Sequence, residues 1–369
     1  MKLWMKSIPA AVLAVAVSLS TCLADEASAT FPRDKVTAII NGVRKITTAE
    51  GIEELKAIPI GGLQQWISVR GRSRNNPILL FIHGGPASTE IPASWVFQGP
   101  CEDYFVVVQW DQRGAGKTYV ANDPAVVRPT IQKERMIEDT EEVVKYLRAT
   151  YGKQKIFVLG HSWGSVLGLE LARRHPEWLY AYVGMGQIIN MRENERLGYE
   201  FTLLAAAAAK NDAALTQLRS IAPYPEADGS LPLSKIGLQR KWSVFFGGLT
   251  HGRTAFDYYP NATLLSPDYT PADVVAIDKG SELSLPLLLP QLAKVDFDAA
   301  TEFQCPIVIF NGRYDDTTSA VLAARWLEKV HAPAKKLVWF ENSAHMMHVE
   351  EPGKVLVHLV QDVLPLAAK

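Results

Sequence analysis

Five short, β-branched runs constrain this chain more than any other feature: "NPILLFIHGG" (76–85), "YFVVVQWDQRG" (104–114), "KIFVLGHSWG" (155–164), "YAYVGMG" (180–186) and "PIVIFNGRYD" (306–315). Each is almost wholly apolar and closes on Gly or Asp. A half-exposed strand alternates apolar with polar residues, whereas continuous apolarity marks strands buried on both faces, as in a parallel sheet covered by helices. Helical patterns lie between and after the runs, among them "ERMIEDTEEVVKYLRATYG", "SVLGLELARRHPEW" and "SAVLAARWLEKVH". Such alternation predicts an α/β fold with a mostly parallel sheet, and ligands of such sheets gather beyond the carboxyl ends of the strands.

Between 187 and 300 the strand runs disappear and helix-forming sequence takes over, with "PADVVAIDKGSEL" and "PLLLPQLAKV" reading as shorter helices split by proline and glycine. We expect a helical cap at 187–300, inserted between a first core part (30–186) and a second (301–369). A hydrophobic fraction of 48% supplies ample core, and a net charge of −1 without a basic cluster argues against nucleic acid as a partner. Residues 1–29 have the layout of a secretory signal peptide: basic "MKLWMK", an apolar core "AAVLAVAVSL" and small residues in "ADEASA", with cleavage expected after Ala29 or Ala24. The apolar stretch is short for a membrane span, which needs about 20 residues. "LSTC" also resembles a lipoprotein signal, but Thr21 fits poorly before Cys22. The reading is therefore an exported protein, periplasmic or secreted.

Glycines at 160 and 164 flank a serine where the third apolar run gives way to a helix. This G-x-S-x-G layout lets the chain reverse sharply and holds Ser162 exposed at a helix amino end, where the N–H of Trp163 can receive an oxyanion. Serine is a weak nucleophile and needs a base. His345, just beyond the strand "KKLVWFE", is favoured over His348, which reads as a packing or surface residue. The base needs an acid to fix its tautomer, and by spacing either Asp315 or Asp316 can serve. His83-Gly84-Gly85-Pro86 follows a strand and offers a second oxyanion donor, expected at Gly85. In "DQRGAGKTY" the GKT mimics a phosphate loop, but Asp111 stands where its first glycine belongs, so Asp111 and Arg113 read as braces beside the site. His345-x-x-His348 lacks the other marks of a zinc motif, so neither metal nor organic cofactor is expected.

With "HGGPA", "DQRGAGKT", "GHSWGS", "GRYD" and "SAHMMHVEEP" in this order, the chain resembles the proline iminopeptidase family of serine α/β-hydrolases over most of residues 50–365. The resemblance implies an α/β-hydrolase fold with a helical cap, nucleophile Ser162, acid Asp315 and base His345. It implies an aminopeptidase acting on small or short-peptide substrates. Two positions depart from the family pattern. Ala87 replaces the last glycine of H-G-G-P-G, and the family's cap motif W-x-x-W-E, whose glutamate binds the substrate amine, aligns with Trp242, Phe245 and Phe246. Those aromatic residues are expected to contact substrate and favour an esterase or amidase for apolar acyl groups as the alternative, with Glu193, Glu195 or Glu200 as replacement anchors for an amine. A silent binding protein on the same fold is disfavoured because nucleophile, acid, base and oxyanion glycines occur together. In the family's strand order the strands after Cys101 and Cys305 lie four positions apart, roughly 19 Å, against a disulfide limit of about 7 Å. Two free thiols are expected.

Overall fold

The computed structural model describes residues 31–368, so the segment read as a signal peptide, Cys22 included, lies outside the described residues. In chain order the main elements are α1 (Arg33–Arg44), β1 (Ile52–Ile60), β2 (Leu63–Gly71), β3 (Ile78–Ile82), β4 (Val106–Asp111), α2 (Lys133–Thr150), β5 (Ile156–His161), α3 (Trp163–Arg174) and β6 (Leu179–Met185). Then follow the helices α4 (Met191–Ala208), α5 (Asp212–Ser220), α6 (Leu233–Phe245) and α7 (Pro271–Leu292), before β7 (Ile307–Gly312), α8 (Ala320–Lys329), β8 (Lys335–Phe340) and α9 (Pro352–His358). One eight-stranded sheet runs β1-β2-β4-β3-β5-β6-β7-β8, antiparallel at β1–β2 and β2–β4 and parallel elsewhere.

The continuous apolar runs are the inner strands. Alternate residues of each enter opposite cores: Ile78, Leu80 and Ile82 of β3 pack under α2 and α3, while Leu79 and Phe81 pack toward the face of α9. This pleat alternation is why the runs are almost wholly apolar, and the few buried polar positions, such as Gln109 of β4 and Asn311 of β7, find hydrogen-bond partners. The hairpin β1–β2 was not legible as apolar runs because it sits at an edge, with β1 half-exposed along its middle. Cys101 and Cys305 are free, and burial pushes each thiol up to about 12. Their following strands, β4 and β7, stand four steps apart in the sheet.

The inserted helices α4 to α7 form the cap. Asn190 caps α4 by accepting from Glu193 N, and Thr270 with Asp273 closes a capping box on α7. The expectation of two short helices over 271–295 is corrected: α7 is one helix of 22 residues that passes through Pro286 and Pro290. Each proline deletes one backbone hydrogen bond, and burial of Leu288, Leu289 and Leu292 on one face holds the helix together across the gaps. Among the described residues no helix is long and apolar enough to cross a membrane.

Asp111 and Arg113, at the end of β4, brace different partners. Asp111 accepts from Lys117 N at 2.8 Å and from the hydroxyls of Thr89 and Tyr269. Arg113 forks onto Asp139 of α2 at 2.7 and 2.9 Å and reaches Gly61 O at 2.9 Å. Both side chains of the Arg113–Asp139 pair are buried. Removing one partner strands a charge, although Arg135 still touches Asp139 at 2.9 Å. Arg113→Met is therefore expected to cost about 3 kcal/mol of stability, the lower end for a broken buried pair, read as a reduced urea midpoint with unchanged slope.

Candidate active site

Ser162 occupies the turn between β5 and α3 with φ 54° and ψ −121°, a conformation that non-glycine residues rarely hold. Its neighbours make that turn possible. A Cβ on Gly164 would lie 2.0 Å from Ile82 O, and one on Gly160 would lie 2.5 Å from Gly164 O. The loop that leaves β3 runs against the serine: a Cβ on Gly84 would stand 2.9 Å from Ser162 Cβ. Gln112 latches this loop, donating from Nε2 to His83 O at 2.8 Å and accepting from Trp163 Nε1 at 3.1 Å. Trp163 is the first residue of α3, where backbone N–H groups lack intrahelical acceptors. Ala87, which stands where the resembled family has glycine, holds φ 65°.

From the far side of the sheet, His345 points Nδ1 at Asp315 Oδ2, 2.9 Å away. Thr318 Oγ1 donates to the same Oδ2 at 2.9 Å and lies 3.1 Å from His345 Nδ1. Asp315 Oδ1 accepts from the backbone of Thr317 at 3.0 Å and Thr318 at 2.8 Å. Spacing left Asp315 and Asp316 equivalent, and the geometry separates them. Asp316 is half-buried rather than fully solvated, and burial, then the charge of Asp315, raise it to about 7. Thr318 was missed. Its only trace in the sequence is a polar "DDTTS" run after a strand end.

Ser162, His345, Gly84 and Gly85 line one cavity of about 550 Å³, together with Glu90 and His161. A second cavity of about 330 Å³ shares Gly85, Ser162 and Thr317 with it and is walled mostly by apolar residues, among them Met191, Leu233, Ile236 and Leu289, with Arg240 and Thr318 the polar exceptions. Ser162 thus stands where the two meet. A hydroxyl, an imidazole held by a carboxylate, and glycine-lined backbone around one void can support acyl transfer.

The expected substrate contacts at Trp242, Phe245 and Phe246 are corrected, since none of the three lines either cavity. Helix α6 turns Leu233, Ile236, Gly237 and Arg240 to the smaller cavity. At 100° per residue Trp242 falls opposite that stripe. Trp242 instead stacks on Phe246 and donates Nε1 to Gln217 of α5 at 3.0 Å, and Phe245 is exposed. The acidic replacements fare similarly: Glu193 and Glu200 pair with Arg196, and buried Glu195 receives Tyr224, Arg240 and Asn194. His348 packs, as expected, with its ring edge-on to Phe97 at 4.8 Å between centroids. Burial lowers His83 to about 4.

Residues 77–352 match the model of a family described as the alpha/beta hydrolase fold. The chain is 28% identical over 311 residues to the probable aminopeptidase YbaC of Bacillus subtilis, covering 84% of this chain and 95% of that one. It is 23% identical over 317 residues to a proline iminopeptidase of Lactobacillus acidophilus, covering 82% and 95% respectively. The crystal structure of a Mycobacterium smegmatis proline iminopeptidase superposes with a TM-score of 0.61 at 18% identity, covering 86% of this chain and all of that one (100%), a likeness of fold.

The raised Asp316 links stability to pH. Its folded-state value of about 7 exceeds its ordinary 3.8, so the folded state holds the proton more tightly. The contribution is complete below about pH 4 and is lost as pH rises through 7. Asp316→Asn, which keeps the neutral shape, is expected to gain stability relative to the parent at pH 8 compared with pH 4. Thermal melts at both pH values test this, and an identical difference at each would remove the buried neutral acid.

Proposed function

The chain belongs to the α/β hydrolase family, and on that premise we propose that it is an exported serine hydrolase of the proline iminopeptidase kind, releasing N-terminal residues from short peptides. The observation that carries this reading is the position of Ser162, strained at the β5–α3 turn, in one cavity with a His345 already bonded to Asp315. Ser162 Oγ attacks the scissile carbonyl carbon while His345 Nε2 accepts its proton, and the carbonyl oxygen takes up negative charge facing the N–H groups of Gly85 and Trp163. The C–N bond then breaks as His345 returns the proton to the leaving amine. Water, deprotonated by His345, attacks the acyl ester, and the acid leaves as the proton passes back to Ser162. Asp315 fixes the imidazole tautomer and stabilises its protonated form throughout.

An esterase or amidase for apolar acyl groups is the second reading, favoured by the apolar walls of the smaller cavity beside Ser162. Hydrolysis of proline β-naphthylamide, its N-blocked form and an aryl ester discriminates the two. Preference for the free amine is expected, and preference for the blocked amide or the ester would select the second.

Labelling by a fluorophosphonate is expected in the parent and not in Ser162→Ala, while Asp315→Asn should lower kcat on the order of 10⁴-fold. Labelling that persists in Ser162→Ala would end the serine mechanism. For export, amino-terminal sequencing of protein from the periplasm or medium is expected to begin after Ala24 or Ala29. An intact amino terminus in the cytoplasm would refute it.

A further inference from the structure

A buried polar cluster, of which Glu90 and His161 line the larger cavity and His348 lies behind them, is unused by the mechanism above. The Glu90 carboxylate accepts from Tyr259 OH through Oε2. Its other oxygen, Oε1, lies 4.0 Å from His161 Nδ1 and 3.7 Å from His348 Nε2. These two imidazoles are the only basic groups within ion-pair distance of Glu90 among the described residues, so no lysine or arginine offsets its charge. His161 Nδ1 and both ring nitrogens of His348 are buried without a hydrogen-bond partner.

The tautomer of His161 sharpens the mismatch. Its Nε2 is 3.1 Å from His345 O, and a carbonyl only accepts, so Nε2 carries the hydrogen. Nδ1 then turns a lone pair toward a carboxylate oxygen. Burial, with His345 and His348 beside it, holds His161 well below the usual imidazole range, so the ring does not itself supply the missing cation. Glu90 Oε1 and His161 Nδ1 are thus two acceptors 4.0 Å apart with no hydrogen between them.

We propose that Glu90, with His161 beside it, receives the free α-ammonium group of the substrate. This rests on the serine hydrolase reading and supplies it with an amine subsite away from the cap helix. An ammonium carries three donors and no acceptor, so it can serve the Glu90 carboxylate and the His161 Nδ1 lone pair together. Glu90 and His161 share the cavity of Ser162 and His345, and the His161 and His345 rings are 4.7 Å apart. That is the right neighbourhood, because one carbon separates an α-amine from the carbonyl under attack.

The test compares kcat/KM for proline β-naphthylamide with that for p-nitrophenyl acetate in the parent, Glu90→Gln and Glu90→Asp. The amide-to-ester ratio is expected to fall at least 30-fold in Glu90→Gln, mainly through KM, and to recover in part in Glu90→Asp. A ratio within threefold of the parent overturns the subsite. Should Glu90→Gln fail to fold, inhibition of the parent's ester hydrolysis decides: prolinamide is expected to inhibit at least 30-fold more strongly than N-acetylprolinamide, and equal inhibition overturns the subsite. One zinc per chain in the purified parent, lost in His348→Ala, would assign the cluster to a metal and overturn it as well. Fluorophosphonate labelling separates the two failures, since a labelled parent with an unchanged ratio loses only the amine subsite, whereas an unlabelled one loses the hydrolase reading with it.

Discussion

The contact between α3 and the end of β3 sets everything around Ser162. Room for a side chain at position 164 is absent, because its first carbon would sit 2.0 Å from the backbone oxygen of Ile82. That closeness lets α3 start directly on the sheet edge and forces the preceding residue into positive φ. It also sends the chain leaving β3, His83 to Gly85, over the serine, where Gly84 leaves 2.9 Å between a would-be Cβ and Ser162 Cβ. Ser162 and the neighbouring loop are thus placed by one backbone approach. A side chain that separated α3 from β3 would displace both together, which is why the strain at Ser162 persists: the surrounding packing over-determines it.

The strand ends position Ser162, His345 and Asp315, and the inserted helices close much of the space over them. Gly85, Ser162 and Thr317 are common to two voids. The larger holds Glu90 and His161 among mainly apolar residues, and the smaller is built mostly from side chains of α4, α6 and α7, with Arg240 among them. On the proposed reading, a carbonyl at Ser162 would face both voids, and discrimination between substrates would come from these side chains rather than from the strand ends.

Much of this was legible in the sequence, and the limits have physical causes. Strands buried on both faces announce themselves by composition, so β3 to β7 could be read directly, and with them Asp315 at the end of β7 and His345 after β8, which the structure joins by a hydrogen bond. The hairpin β1–β2 could not, because a half-exposed edge strand lacks that uniformity. Trp242, Phe245 and Phe246 misled because a motif position carries no azimuth: the helix turned them from the cavity and presented Leu233 and Ile236 instead. Pro286 and Pro290 suggested a break that buried leucines override. Glu90 was invisible for a different reason. A glutamate in a loop looks solvated until the fold shows that histidines distant in sequence, at 161 and 348, close over it.

The buried carboxylates near the strand ends differ in how completely they are satisfied. Asp315 has four hydrogen bonds, from two backbone amides, a threonine hydroxyl and the His345 imidazole. Such a shell replaces lost hydration and leaves the group nothing further to bind. Asp316, beside it and half-buried, is raised to about 7 by burial and by the charge of Asp315, so its proton is held more tightly than by a free aspartate. Asp111 sits between, raised to about 6 by burial despite its three donors. Glu90 receives one hydroxyl and faces two imidazoles, one of which burial holds uncharged. With one donated hydrogen bond against the four of Asp315, Glu90 keeps acceptor capacity that no other group among the described residues fills.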